Sequence, residues 1–436
     1  MKTDMLDKFK GLKTVALSKV TAKKDETDTK HLVALDIGTE YVKALIGRVE
    51  ADGSISIIGS GREHQSLSDM QAGAIADIGG VVQNCDKALS VAEEQAGVSV
   101  RSAVIGIAGE LVKGTTTTVR VRRQQADKAL DMPEIEKIVK LVQERAEAKA
   151  RKDLAWELGG KEIDVKLVNS ALVGIEIDGY PVTNPVGFQG KVVVVQLYTA
   201  FAPLIHIGAL ERAAEQLDLD LVAVAAEPFG VARAVIGDDQ SATMSAVLMD
   251  VGGGTTDIAV VQDGGVQGTK MFGIGGRAYT RSIERDLGVE FEQAEIYKVG
   301  LSEPSIKPAA RKKIEESLEK TLDVWMNGIE LALAEFTKLD HLPHRIFLCG
   351  GGSSLEMLVD RLHQTDWYTK LPFTRKPTIA HIRPDQVVGI TDTTDTVKDH
   401  TYITAMGLLR VGLDTIQYTG NSGETVKEKL DRILHV

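Results

Sequence analysis

The sequence predicts a two-lobed α/β protein in which two similar cycles of strands and helices face each other across a cleft. Strand and helix patterns alternate along most of the chain, which is typical of α/β layers. One short pattern also occurs twice, at 35–39 and at 249–257: an apolar strand, an aspartate, an apolar residue, glycine and then hydroxyl residues. Its presence at comparable points of two cycles predicts two related halves.

Length, charge and cysteine content limit the kind of protein this is. A chain of 436 residues is too long for one comfortable core and suggests two to four domains. The net charge of −11 argues against nucleic acid as the main partner. Cys85 and Cys349 are too few for a disulfide framework or a cysteine-based zinc site. No apolar run approaches the roughly 18–20 residues of a transmembrane helix, so we expect an intracellular protein.

The first cycle begins with two strands around a turn at Gly38, where apolar and polar residues alternate. The helix after Pro133 opens with proline and glutamate, as helix starts often do. Strands are predicted at 31–50 (the pair about Gly38), 54–59, 100–108, 165–177, 191–199 and 219–226. Helices are predicted at 78–96, 133–149 and 203–217, and another begins at Pro228.

The second cycle begins at Ser245 with a strand, a glycine turn and a second strand. Its strands are predicted at 246–251, 257–262 and 345–349. Its helices are predicted at 278–287, at 291–299, over the long stretch 307–339 with room for one break, and from the glycines at 350–352 to about Gln364.

Both ends of the chain have the pattern of an amphipathic helix. The first 24 residues contain seven lysines and two aspartates, with apolar residues at helical spacing. The last segment, 425–436, places Val426, Leu430, Ile433 and Leu434 on one helical face. A solvated tail at the start and a helix docked on its own domain at the end explain these patterns. Alternatively, either segment lies on an anionic membrane, or the last one binds a partner.

The two repeated turns have the composition of a phosphate site. Glycine lets backbone N–H groups approach anionic oxygens, and threonine adds a hydroxyl donor. An aspartate at each strand end can hold Mg²⁺, usually through the ion's water shell. One such turn is common in ordinary hairpins, but two facing turns would clamp one polyphosphate. The predicted phosphate contacts are Gly38, Thr39, Gly252, Gly253, Gly254, Thr255 and Thr256, and the predicted metal ligands are Asp36 and Asp250.

A third glycine turn, Gly350, Gly351, Gly352 and Ser353, follows the strand at 345–349. Tight packing between strand and helix would also favour glycine here. Together with the other two turns, a nucleoside-binding turn is the better interpretation. The chain has no Gly-x-x-x-x-Gly-Lys-[Ser/Thr] loop and no Gly-x-Gly-x-x-Gly motif opening a helix after the first strand.

These three turns, in this order, resemble the motifs of the actin/Hsp70/sugar-kinase ATPase superfamily. Residues 36–39 resemble its first phosphate motif, 250–257 its second and 350–353 its adenosine motif, so the resemblance covers most of 31–412. It implies an actin/Hsp70-like two-lobed ATPase fold with duplicated βββαβα-type domains. It also implies ATP and Mg²⁺ as ligands.

Finer features resemble the bacterial cell-division protein FtsA. The stretch between the first motif and Ala200 resembles the extra subdomain, 1C, that FtsA carries in place of actin subdomain IB. Its cues are the strand 102–108, the helix after Pro133 and the segment 184–190. Gly275 and Gly276 are followed by a helix and then by Glu295 and Lys298. In FtsA the matching glutamate and lysine reach the ribose and adenine.

The resemblance also implies a division of the chain. We expect a basic tail and linker at 1–30, lobe I at 31–99 and 200–243, subdomain 1C at 100–199, and lobe II at 244–276 and 345–418 with subdomain IIB at 277–344. A C-terminal amphipathic helix is expected at 419–436.

Two positions bear on catalysis. Glu227-Pro228 resembles the Glu-Pro of Hsp70 proteins, where the glutamate helps to place Mg²⁺ and water, so Glu227, Asp36 and Asp250 are the predicted catalytic residues. A helix-capping glutamate is the alternative. Glu40 departs from the usual hydroxyl or small residue, and because a carboxylate repels phosphate, it should point away from the site.

The resemblance implies an ATP-binding cell-division protein that forms filaments at the cytoplasmic face of the membrane, tethers FtsZ at the division site and hydrolyses ATP slowly as a switch. The alternative is a PilM-like scaffold of type IV pilus assembly. A chaperone-like ATPase or sugar kinase is less favoured, because neither a catalytic base with a substrate pocket nor a peptide-binding domain is identified.

Overall fold

The computed structural model describes residues 31–236, 244–301 and 306–420, and the amphipathic segments at 1–24 and 425–436 lie outside them. Its strands are β1 (His31–Ile37), β2 (Tyr41–Val49), β3 (Ile55–His64), β4 (Met70–Gln71), β5 (Ala74–Ile75), β6 (Ser102–Ile107), β7 (Lys113–Arg122), β8 (Val165–Ile177), β9 (Tyr180–Pro181), β10 (Val192–Pro203), β11 (Asp220–Ala226), β12 (Ala246–Val251), β13 (Thr256–Gln262), β14 (Gly265–Phe272), β15 (Arg345–Cys349), β16 (Thr378–His381) and β17 (Ile390–Asp392).

The described helices are α1 (Ile78–Ala96), α2 (Met132–Glu157), α3 (Leu204–Gln216), α4 (Glu227–Ile236), α5 (Gly276–Leu287), α6 (Phe291–Val299), α7 (Pro308–Ala334), α8 (Glu356–Gln364) and α9 (Ile403–Gly420). None of them is both long and apolar enough to cross a membrane. Their ends follow local chemistry: the Asp77 carboxylate accepts from the N–H groups of Gly79 and Gly80 at the start of α1, and Gly97 ends that helix at φ +68°.

Lobe I is built on a six-stranded sheet in the order β11-β6-β1-β2-β3-β17. Strands β1 and β6 run parallel, whereas β1, β2 and β3 form an antiparallel meander. Helix α1 packs against β2 and β3, and α9 packs against α4 and β1. The apolar side chains of β1, such as Leu32 and Leu35, are fully buried in this core.

Lobe II contains the other hairpin, β12–β13, in a nine-stranded sheet of order β16-β15-β12-β13-β14-β7-β10-β8-β9. Its core lies between the sheet and the helices α5 and α7, where Trp325 is fully buried. The far end of the sheet, β7-β10-β8-β9, forms the extra subdomain with α2. A short pairing of Gly268 with Thr115 joins β14 to β7.

The structure differs from the predicted division at two places. Strand β6 pairs with β1 and β11, so it belongs to the sheet of lobe I rather than to the extra subdomain at 100–199. Strand β17 pairs with β3, and α9 packs on the same sheet, so the end of the 345–418 segment returns to lobe I. These partners are distant in sequence, and local patterns do not encode them.

Two of the longer strands were not predicted, and two helices differ in extent from the prediction. Strands β7 and β14 were not predicted, because β7 is rich in threonine and β14 in glycine and polar residues rather than in apolar ones. Helix α7 is a single unbroken helix that ends at Ala334. The helix predicted at 133–149 continues to Glu157.

The close packing of α1 on β3 gives a stability prediction. A Cβ added at Gly61 would lie 1.8 Å from the carbonyl oxygen of Ala88. We expect Gly61→Ala to lower the free energy of unfolding by about 1–3 kcal/mol, because α1 must move off the sheet. Chemical denaturation measures this. In the control, Gly208→Ala in α3, the added Cβ meets nothing within 4 Å, and equal losses in both variants would contradict the prediction.

Candidate functional site

Both repeated glycine patterns form the turn of an antiparallel hairpin. The Gly38 N–H donates to the Tyr41 carbonyl at 3.1 Å, and the Gly252 N–H donates to the Thr255 carbonyl at 2.9 Å. The two turns meet: a Cβ added at Gly254 would lie 2.6 Å from Thr39 Oγ1. The lobes therefore approach each other through their glycine turns, as the repeated pattern predicts.

The two hairpins also share a register. Asp36 in β1 lies opposite Lys43 in β2, and Asp250 in β12 lies opposite Asp257 in β13. In lobe I this register produces an ion pair, with Lys43 Nζ 2.8 Å from Asp36 Oδ2. In lobe II it produces two neighbouring carboxyl groups instead.

The third glycine turn lies against Asp250, because β15 runs parallel to β12. Gly350 has φ +79°, and a Cβ there would lie 2.0 Å from Asp250 Oδ1. Glycine is therefore required both by the backbone conformation and by the space. Helix α5 begins on the other side, where the N–H groups of Gly276 and Arg277 donate to the carbonyls of Gly252 and Gly253.

These turns surround a cleft of about 610 Å³, a size suited to a small-molecule ligand. Most predicted site residues line it: Asp36, Gly38, Thr39, Glu227, Asp250, Gly252, Gly253, Thr255, Gly276, Glu295, Lys298, Gly350, Gly351 and Gly352. Four predicted contacts do not: Gly254, Thr256, Gly275 and Ser353.

The polar side chains among these four point into the protein. The Thr256 hydroxyl donates to the Ile274 carbonyl at 2.7 Å and accepts from Trp325 Nε1 at 2.9 Å. The Ser353 hydroxyl donates to the Gly350 carbonyl at 2.7 Å. Thr256 and Ser353 therefore hold the turns in shape rather than facing the cleft. Strand alternation explains Thr256, since its neighbour Thr255 faces the cleft.

Four buried carboxyl groups dominate the electrostatics of the cleft: Asp36, Glu227, Asp250 and Asp257. Burial, followed by the charge of Asp250, raises the pKa of Asp257 to about 8. Burial also raises the pKa of Asp250, and burial with the neighbouring carboxylates raises that of Glu227 well above its usual range. Burial penalises the charged form of each group, and so does its like-charged neighbour.

Two protein groups offset part of this negative charge. Burial by itself lowers the pKa of Lys43, but the adjacent Asp36 carboxylate outweighs that effect and the pKa is raised. The Thr404 hydroxyl donates to Asp250 Oδ2. One oxygen of Asp257 accepts from Thr255 Oγ1 at 2.8 Å, while its other oxygen is buried with no partner among the described residues. The cleft therefore favours a cationic ligand component.

Glu227 is the first residue of α4 and also lines the cleft. It lies against β6, where a Cβ added at Gly106 would be 2.9 Å from Glu227 Oε1. A helix-capping role alone therefore does not account for Glu227, because its side chain lies among the other carboxyl groups of the cleft. Within the described ranges, no three His, Cys, Asp or Glu side chains converge to hold a metal directly.

The predicted nucleoside side is formed by α5 and α6. Lys298 Nζ lies 2.8 Å from Glu295 Oε2 and donates to the Gly276 carbonyl at 3.1 Å and to Thr280 Oγ1 at 2.9 Å. The Glu295 and Lys298 side chains therefore form one cluster at the start of α5 and line the same cleft as Gly351.

The chain is similar to known cell-division proteins along most of its length. The family model "Cell division protein FtsA" matches residues 247–407. The chain is 26% identical over 406 residues to the cell division protein FtsA of Pseudomonas aeruginosa, covering 88% of this chain and 89% of that protein. It is 26% identical over 422 residues to the FtsA of Escherichia coli K12, covering 89% and 92%. The predicted resemblance to FtsA is confirmed.

The fold agrees with this resemblance. A solved PilM-PilN type IV pilus biogenesis complex contains a chain that superposes with a TM-score of 0.62 at 15% identity, covering 88% of this chain and 98% of that one. The actin-like ATPase fold predicted from the three turns is confirmed. The similarity to FtsA supports an actin-like cell-division protein.

Some cleft residues were not predicted as site residues. Lys43 and Asp257 each lie seven positions after a predicted aspartate, and the register of a tight hairpin could have placed them opposite it. Arg62 and Arg277 also line the cleft. Arg62 lies on β3, with its guanidinium 3.6 Å from the centre of the Tyr41 ring. No local motif marks these two arginines.

Glu40, which departs from the FtsA pattern, contacts an arginine and a histidine. Its carboxylate lies 2.7 Å from Arg277 Nε and 2.7 Å from His64 Nε2. Glu40 nevertheless lines the cleft, against the expectation that it points away from the site, and its negative charge is paired with these basic groups instead.

The third turn gives a prediction about stability. We expect Gly350→Ala to lower the free energy of unfolding by about 2 kcal/mol or more, because it combines left-handed backbone strain with a clash against Asp250. Chemical denaturation measures the loss. Gly351→Ala is the matched control, since its Cβ would enter open space. A loss in Gly350→Ala no larger than that in Gly351→Ala would contradict this prediction.

The raised pKa of Asp257 gives a pH prediction. The folded protein keeps a proton on Asp257 up to about pH 8, whereas the unfolded chain loses it near 3.8. The folded state therefore binds more protons between these values, and its free energy of unfolding falls as the pH rises through this window. Asp257→Asn should flatten that fall, as followed by denaturation from pH 5 to 8.

Asp86→Asn, in an exposed position on α1, is the control and should leave the slope as it is in the parent protein. An Asp257→Asn slope equal to that of the parent would contradict the assignment of Asp257 as a buried, protonated group.

Proposed function

We propose that the cleft binds ATP with Mg²⁺ and that the protein acts in cell division as an actin-like assembly switch. The observation that carries the proposal is the set of four buried carboxyl groups, with Lys43 beside them, at the meeting point of three glycine turns. Such a set is costly to bury alone. A divalent cation supplies positive charge that compensates both these carboxyl groups and a polyphosphate bound beside them.

Each turn has a role in this proposal. Backbone N–H groups of Gly38, Thr39, Gly252 and Gly253 contact the phosphates, with the Thr39 and Thr255 hydroxyls as further donors. Asp36 and Asp250 hold Mg²⁺ through its water shell. Gly276, Glu295, Lys298 and Gly350–Gly352 hold the adenosine.

Slow hydrolysis would use Glu227. As a neutral acid it cannot accept a proton from water, and its pKa is raised by burial and by its negative neighbours. A bound cation opposes both effects, so the carboxylate form becomes available to orient a water. Hydrolysis therefore requires both the nucleotide and the bound cation. This dependence suits a switch rather than a metabolic enzyme.

The similarity to FtsA supports the proposed cellular role. The protein assembles into filaments on the cytoplasmic face of the membrane and tethers FtsZ at the division site. The basic amphipathic segment at 1–24 or the segment at 425–436 attaches it to anionic lipid. Nucleotide acts on the relative position of the two lobes, and the filament contacts respond to that position.

A PilM-like scaffold is the second candidate, and the superposition on a chain of a PilM-PilN complex favours it. In that case the partner is a short peptide of a pilus membrane protein rather than FtsZ. Because 15% identity supports only the fold, the extended similarity to FtsA proteins gives the cell-division role more support.

Liposome flotation tests the cellular role. With ATP and Mg²⁺, the full chain should float with anionic vesicles and carry FtsZ with it. Deletion of 1–24 or 425–436 should reduce the floated fraction several-fold, because each deletion removes apolar contacts and lysines. Neutral vesicles are the control for lipid charge. If neither deletion changes flotation, or if FtsZ stays at the bottom, the proposed role is wrong.

A further inference from the structure

One ion pair joins the two lobes at the tips of the glycine turns. Glu40 belongs to the β1–β2 turn of lobe I, and Arg277 belongs to the first turn of α5 in lobe II. Glu40 Oε2 lies 2.7 Å from Arg277 Nε, and the side chains are 19% and 10% exposed. This contact spans the cleft, so it depends on how far apart the lobes are.

Each partner is anchored to its own lobe. The carbonyl of Glu40 accepts from the Gln65 N–H at 2.9 Å, which ties it to the end of β3. The N–H of Arg277 donates to the Gly253 carbonyl at 2.8 Å, which ties it to the β12–β13 turn. Neither backbone can therefore follow the other if the lobes separate, and the ion pair must break.

A third side chain supports the pair from lobe I. His64 Nε2 lies 2.7 Å from the other oxygen of Glu40, and its ring meets Tyr41 edge-on with centroids 5.1 Å apart. Both carboxylate oxygens of Glu40 are thereby engaged. Only one of them faces lobe II.

We propose that Glu40 and Arg277 form an interlobe clasp, which holds the cleft closed at the tips of its glycine turns through the protein's own charges. Separating the lobes would leave Arg277, 9% exposed as a residue, without its carboxylate partner until water reaches it. Losing one partner of a half-buried pair costs more than the pair itself contributes. The clasp is a contact between two side chains of the same protein, so the proposal does not depend on which ligand the cleft binds.

The clasp also gives a reason for the acidic residue in this turn. A carboxylate repels a phosphate beside it, but the Glu40 carboxylate is paired with Arg277 and His64. Closure at this end is then set by the chain itself as well as by any ligand that bridges the two turns.

Distances between spin labels on the two lobes test the clasp in the full-length protein without added nucleotide. Exposed positions 94 on α1 and 315 on α7 accept labels as Glu94→Cys and Glu315→Cys. The native cysteines are buried, and burial raises the pKa of Cys85 to about 12 and that of Cys349 well above its usual range, so they resist labelling.

Glu40→Gln, which conserves side-chain volume, and Arg277→Met should each raise the ratio of wide to narrow label separations about fivefold or more. The reversed pair, Glu40→Arg with Arg277→Glu, should return the distribution toward that of the parent protein. Glu63→Ala is the matched control, because it breaks the 2.9 Å pair with Lys87 within lobe I.

Unchanged distributions in both single variants would overturn the clasp, and so would a reversed pair that stays as open as the single variants. Circular dichroism confirms that each variant is folded, and Glu40→Gln decides the question if Arg277→Met is unstable. Because nucleotide is absent, a negative result leaves the proposed ATP site unaffected, and loss of ATP binding leaves the clasp unaffected.

Discussion

Four carboxyl groups are buried where the two lobes meet, and the turns and helices around the cleft are arranged about them. Asp36, Glu227, Asp250 and Asp257 are all nearly inaccessible to water, and Lys43 neutralises part of their charge. A folded protein keeps such a group only if it is protonated, hydrogen-bonded or matched by a cation. Burial and like-charged neighbours raise the pKa values of Glu227, Asp250 and Asp257, and the pKa of Asp257, about 8, keeps that group protonated at neutral pH.

The backbone around these groups is arranged to bring them together. Two hairpins of the same register place a residue pair at the same depth in each lobe. Gly350 admits the third turn directly against Asp250, and α5 starts on the carbonyls of the second turn. Chain segments distant in sequence then complete the site, since β17 and α9 return to lobe I and Thr404 of α9 reaches Asp250.

Sequence patterns predicted the parts of this arrangement that are local. The strand–Asp–Gly turns, helix α1 and strands β8 and β12 have strong periodicity or clear turn residues, and the structure places them as expected. Thr256 and Ser353 were misplaced because side-chain direction in a turn depends on the flanking strands. The Glu40–Arg277 contact and the return of β17 were not predictable, because their partners lie hundreds of residues away and no local rule links them.

The affinity for ATP with and without Mg²⁺, measured by isothermal titration calorimetry on the parent protein and on Asp250→Ala, tests whether the buried carboxyl groups form a nucleotide and metal site. Binding should require Mg²⁺ in the parent protein and be lost in Asp250→Ala, while Asp385→Ala at an exposed position should bind as the parent does. ATP affinity that is unchanged in Asp250→Ala would contradict the assignment of the buried carboxyl groups as a nucleotide and metal site.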